Sequence, residues 1–455
     1  MLFRRYGYGM ALALFVGMAA AALPARADET KTVSLAHIKL SDSLGESPPA
    51  ADPLFGGPSE NFKSKLDRIK KAGKDRNINA LYLQIDGLSV GWAKIDELSR
   101  AIADFRKAGK KVFAYLEAGS TKDYLLALAC DEICLPESGW LMLTGIRAEV
   151  SFYKDLFEKI GVKADMLQMG DFKAAAEPFM RSSMSEPARK QLTSVIDDYY
   201  ENNIVERIVH QRSAKKFTPE QVKKLIDEGP YAARGALKVG LIDRVTYADQ
   251  YQDRLKANLK NRLKADDVKL VKDYGKKKRK DVDFSSIFSI LEALKPSTST
   301  SSKGPKIAVI YAVGVITTGK SEEGFMGAET VGSTTMIQAI RQAEKDETVK
   351  AIVLRVDSPG GSALASDLIW NELRLSKKPI IASMSDVAAS GGYYISMAAR
   401  KIYADPGTLT GSIGVVGGKV ALGGTFNKIG IKTEIISRGA NSGLFSTEKP
   451  FTESE

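Results

Sequence analysis

Apolar positions along the chain fall into short β-branched runs separated by stretches with helical spacing. NALYLQID (79–86) and KAIVLRVD (350–357) each read as a buried strand closing on an aspartate, Asp86 or Asp357. A loop follows each strand, and then a segment with apolar residues three and four apart. Strand and helix keep alternating in this way. The pattern predicts an α/β fold of β-α-β units with mainly parallel sheets.

The two strands are copies of one another. NALYLQIDGLSVGWAKIDELSRAI, from Asn79, aligns with KAIVLRVDSPGGSALASDLIWNEL, from Lys350, at an offset of 271. The offset then becomes 269, placing YLLALACDEICLPESGWLMLTGI over YYISMAARKIYADPGTLTGSIGV and IGVKADMLQMGDFKAA over IGIKTEIISRGANSGL. Duplication explains such matches better than chance. The expected organisation is an N-terminal repeat over 28–260, a charged and Ser/Thr-rich linker over 261–305, and a C-terminal repeat over 306–455. The first copy continues past GDFKAAAEPFMRSS into a long helix, a helical hairpin and a returning strand. The second stops at Glu455, so with the first as template roughly seventy residues are missing and the second repeat reads as truncated.

The N-terminal pattern is different. Arg4 and Arg5 precede an apolar run from Met10 to Leu23 and the Ala25-Arg26-Ala27 site, which together read as an export signal over 1–27 or, failing cleavage, a membrane anchor. The expected compartment is the periplasm, with tethering to the inner membrane as the alternative. Losing residues 1–27 lowers the net charge from +11 to +8. A basic surface suits anionic membrane faces, and the run Lys276–Lys280 could touch membrane phosphate, but dispersed solubilising lysines and a solvated loop are the favoured readings of the charge and of the run. Export argues against nucleic acid as the partner. Cys130 and Cys134 read as small buried hydrophobes, with a disulfide as the alternative, and no ligand set for a metal is apparent.

Chemistry enters where the copies differ. Ser390, followed by Gly391 and Gly392, lies over Thr121-Lys122-Asp123, and DSPGGS (357–362) lies over DGLSVG (86–91), which lacks the paired glycines. In the other direction, Lys173 falls over Ser442. Each half has lost what the other keeps. A serine hydroxyl needs a base before it becomes a nucleophile. The two histidines, His37 and His210, neighbour no glycine-rich loop. A buried lysine serves once desolvation disfavours its ammonium form. Ser390 and Lys173 are therefore the candidate nucleophile and base. Gly391 and the turn containing Gly360 and Gly361 are candidate oxyanion donors. Ser412 is a candidate to orient the lysine.

SPGGSALASDLIWNEL, SDVAASGGYYISMAARKIYADPGTLTGSIGV and GDFKAAAEPFMR resemble the tandem-repeat signal peptide peptidase A family, serine peptidases of the ClpP/crotonase superfamily. The resemblance runs from about residue 30 to the end. It implies two tandem ClpP/crotonase-like repeats, with Ser390 as nucleophile, Lys173 as general base, Ser412 holding the lysine, and the glycines forming the oxyanion hole. It further implies a membrane-associated homotetramer that degrades remnant signal peptides and other unfolded apolar segments without cofactor or metal. This form of the family is generally held by an uncleaved N-terminal helix, whereas ALPARADE (22–29) reads as cleavable. Two other functions fit the fold: an inactive envelope scaffold or peptide-binding protein, and a crotonase-like acyl-CoA enzyme, which export disfavours.

Overall fold

The computed structural model describes residues 31–48, 60–276, 304–322, 329–438 and 441–455. The expected export segment, most of Lys276–Lys280 and most of the Ser/Thr-rich stretch lie outside the described residues. Among the described residues no helix is long and apolar enough to cross a membrane.

Two parallel sheets carry the architecture. The first has six strands, in the order Asp267–Val271, Thr32–Ser43, Ile78–Ser89, Lys111–Leu116, Glu132–Leu135, Arg244–Val245. The second has Lys306–Val313, Val349–Ser358, Ile380–Ala389 and Lys401–Tyr403 in that order, with Leu409–Gly411 pairing to the far end of Ile380–Ala389. All of these pairings are parallel. Each sheet packs on equivalent helices, Phe62–Lys74 and Trp92–Lys107 in the first copy and Ser333–Lys345 and Ala363–Leu375 in the second. Their buried faces show why the helical spacing was legible: Ile69 and Ala72 in one match Ile340 and Ala343 in the other.

Three local expectations need correcting. Residues 261–276 are not linker. The helix Ala248–Leu263 covers the back of the first sheet, and Asp267–Val271 adds an edge strand to it, so charge in this segment marks solvated faces rather than a break. The strand through Asp86 runs on to Ser89, pairing Leu88 with Asp42 beyond a register shift, because without paired glycines that loop stays extended. Finally, the alternating apolar pattern after Ile-Gly-x-Lys reads as a strand in both copies, yet in IGIKTEII none is formed, whereas its repeat equivalent is the strand Lys163–Gln168.

That last strand joins the halves. Lys163–Gln168 of the first copy pairs antiparallel with Val416–Ala421 of the second, in register from Gln168 opposite Val416 to Lys163 opposite Ala421. Nothing in the local pattern identified this ribbon. Cys130 and Cys134 are buried free thiols, and burial pushes both above the ordinary thiol range.

Candidate active site

Ser390 stands between the strand Ile380–Ala389 and the helix Gly391–Ser396. Its backbone sits at φ +52°, ψ −115°, a conformation that costs a non-glycine residue about 1–3 kcal/mol. The Ser390 amide donates to Gly411 O at 2.9 Å and its carbonyl accepts from Tyr394 N at 2.9 Å, which holds the strained turn. The turn is tightly enclosed. A Cβ on Gly360 would lie 2.5 Å from Gly391 N, and one on Gly392 would lie 2.6 Å from Ser358 O. Only glycine lets the loop Ser358–Ser362 approach the serine this closely.

The first copy closes the same space with a carboxylate. Asp123, at the position of Gly392, caps its helix through Ser120 and accepts a bond from Leu88 N at 3.0 Å, tying the extended loop to the helix. Thr121, at the position of Ser390, donates to Met142 O.

Lys173 arrives from the other half. The ribbon brings the first copy's chain alongside Val416–Ala421, Met169 N donates to Val415 O at 3.0 Å, and Lys173 follows at the start of the short turn Ala174–Ala176. Its Nζ lies 3.2 Å from Ser390 Oγ and 2.9 Å from Ser412 Oγ, and it also donates to the Ser412 carbonyl. Ser412 is itself at φ +49°. Lys173 is 7% exposed, and burial holds its pKa below the ordinary lysine range with no carboxylate opposing the shift.

A cavity of about 500 Å³ opens beside this group, lined by Lys173, Ser390, Gly391, Gly361, Tyr393 and Met397 among others. The amides of Gly391 and Gly361 have no hydrogen-bond partner among the described residues. Gly360 differs: its N–H donates to Ser358 Oγ at 3.1 Å, and that hydroxyl donates to Gly314 O. Gly360 therefore shapes the loop while its amide is engaged. Buried Ser358 was not singled out by the sequence, where its place before Pro359 reads only as a turn. The histidines lie elsewhere: His37 packs against Tyr82, and His210 is exposed beside Glu206.

The profile of Peptidase family S49 matches residues 104–262 and 372–455. The chain belongs to peptidase family S49. The Clp protease profile matches residues 326–408. Relatives in the family include the chloroplastic serine protease SPPA of Arabidopsis thaliana, 37% identical over 86% of this chain and 54% of that one. Protease 4 of Salmonella typhi is 32% identical over 84% of this chain and 60% of that one. Protease 4 of Haemophilus influenzae is 33% identical, over 83% and 60%. The chain thus spans between 54% and 60% of the length of these relatives. The expected α/β architecture with mainly parallel sheets is the one observed.

Proposed function

We propose that the chain is a serine endopeptidase working with a Ser390/Lys173 dyad on signal peptides and other unfolded apolar segments. The observation that carries this reading is the contact, across the duplication, between a strained serine and a buried lysine with no counter-charge. Neutral Lys173 Nζ takes the proton of Ser390 Oγ as that oxygen bonds to the scissile carbonyl carbon. Negative charge on the carbonyl oxygen develops against the amides of Gly391 and Gly361. The lysine ammonium, held by Ser412, then gives its proton to the departing amine nitrogen as the C–N bond breaks. A water gives a proton to Lys173 as its oxygen bonds to the acyl carbon, and the bond from that carbon to Ser390 Oγ then breaks as Oγ recovers the proton from the lysine.

The surroundings favour an apolar, extended substrate. Ile413 and Val415 at the cavity are 72% and 51% exposed, and Leu167, Met169 and Phe172 stand exposed on the adjoining lysine-bearing segment. Work on such segments at an envelope membrane, after export, suits the basic charge and the N-terminal pattern. A homo-oligomer is also part of the proposal. Residues 147–152 and 432–437 are the repeat equivalents of the two ribbon strands, both are exposed and neither forms a strand, so the same pairing between neighbouring chains would extend the assembly head to tail. Closure at four subunits rests on the family resemblance.

The test is fluorophosphonate labelling of the purified chain, with the adduct located by mass spectrometry and Lys173→Ala alongside. A single adduct on Ser390 that disappears in the lysine variant is expected. A folded wild-type chain that binds unfolded peptide but takes no label would overturn this reading in favour of a peptide-binding scaffold.

A further inference from the structure

A second lysine crosses from the first copy to the second. Lys94, in the first turn of the helix Trp92–Lys107, is 6% exposed, and its Nζ lies 2.8 Å from Asp357 Oδ2 and 3.1 Å from Asp386 Oδ2. Glu46 Oε1 is further off, at 4.0 Å, and is engaged mainly by Arg355. The two aspartates sit at decisive points. Asp357 immediately precedes Ser358-Pro359-Gly360-Gly361, and Asp386 lies four residues before Ser390. Their strands pair regularly up to Val356 opposite Met384, then resume with Ser358 opposite Ala388, so Ser385–Val387 bulge out opposite Asp357 alone. Asp357 Oδ1 accepts from Val387 N at 3.1 Å, which pins the bulge from within. Asp386 in turn receives the amides of Gly91 and Lys94 at 2.9 and 3.0 Å, capping the first copy's helix. A Cβ on Gly91 would fall 2.1 Å from Asp386 Cγ, so the approach is as close as backbone permits.

We infer that Lys94 is a positioning residue for the dyad. One ammonium neutralises two partly buried carboxylates that would otherwise repel each other across the bulge, and so sets the spacing between the loop Ser358–Ser362 and Ser390. The repeat itself supplies the contrast. In the first copy the equivalents are Asp86, paired with exposed Lys39, and Glu117, which is exposed; neither meets a buried lysine. The pinned bulge is found beside Ser390 and is lacking beside Thr121. The catalytic consequence rests on the peptidase reading above; the positioning itself does not.

The experiment compares the wild-type chain with Lys94→Met and with the double variant Lys94→Met/Asp357→Asn, reading peptide hydrolysis and amide hydrogen exchange together. In the double variant the side-chain amide introduced by Asp357→Asn can donate through its nitrogen to Asp386, while its oxygen still accepts from Val387 N. Lys94→Met is expected to lower kcat about 100-fold, as for a reacting group displaced by an ångström, with KM little changed. Exchange should quicken in 357–362 and 385–391 and stay slow elsewhere in both sheets. The double variant should recover most of the kcat and the protection. If the wild-type chain proves inactive but the localised exchange change and its recovery are seen, the peptidase reading falls and the positioning role stands. A folded Lys94→Met chain with unchanged kcat or unchanged exchange in both loops would overturn the inference, as would a double variant that folds and recovers nothing. Should Lys94→Met fail to fold, the double variant alone decides: folded and active supports the role, folded with disordered loops refutes it.

Discussion

The two copies of the fold have met the same geometric problem with opposite solutions. At the end of the second strand, the C-terminal copy has a loop of glycines pressed so near the helix after Ser390 that a Cβ on Gly360 would lie 2.5 Å from Gly391 N. The N-terminal copy has a continuing strand, sealed to the equivalent helix by the buried carboxylate of Asp123. One arrangement holds a strained turn and leaves two amides open; the other satisfies its groups and leaves nothing to react. What the first copy offers instead is everything the second lacks: the lysine, the strand that delivers it, and a helix N-terminus for Asp386. A duplicated sheet has separated into a half that holds the open, strained serine turn and a half that packs against it.

The largest effect should come from severing the link between them. Gly418 lies in the joining ribbon, where a Cβ would fall 2.3 Å from Asp165 O. Gly418→Val should disrupt the pairing and withdraw Lys173, lowering hydrolysis by about 10²–10⁴-fold, the usual cost of losing a general base. Thermal unfolding should change far less, because no residue of either ribbon strand belongs to the three buried hydrophobic clusters. Equal losses of activity and fold would mean that the halves are not separable in this way.

A smaller effect follows from pH. Burial depresses the Lys173 pKa, so its neutral form gains population at lower pH than for a free lysine. The rate of serine labelling should therefore climb as pH rises, with a midpoint below the ordinary lysine value of about 10.4. A flat profile with no rise toward alkaline pH would remove Lys173 as the base. The smallest effect tests the silent half directly. Thr121→Ser strips the methyl from the hydroxyl that already stands at the equivalent of Ser390, yet Asp123 still blocks the glycine loop's position, so no second labelled site should appear by intact mass. A second adduct would show that the first copy is closed by its side chain alone.

How much of this could be read from the chain alone follows from the range of each interaction. Strand and helix periodicity reports burial, which is local, and it revealed both copies because their cores repeat. Ser390 and Lys173 became visible because each copy had lost one of them, and a comparison within one chain substitutes for knowing which residues meet. Ser412 was the weaker inference and stands 2.9 Å from the lysine. Lys94 gave no signal, since a lysine in the first turn of a helix looks like any solvated residue until the two carboxylates it faces, 263 and 292 positions away, are folded against it. The engagement of Gly360 N–H by Ser358 was equally hidden, because glycine spacing shows that a backbone approaches closely but not which amide points outward. The strand missing from IGIKTEII makes the same point: an alternating pattern forms a ladder only where a partner edge is present.

The joining ribbon also bears on the order in which the proposed dyad is completed. The lysine precedes the serine by 217 residues, so a growing chain presents the proposed base long before its proposed partner hydroxyl. The first sheet, complete through Val271, can fold ahead of the second, but Val416–Ala421 must be made before the two reactive groups can be brought together. On the proposed reading, activity is then withheld from every nascent intermediate. The order of synthesis does the work of a safety catch.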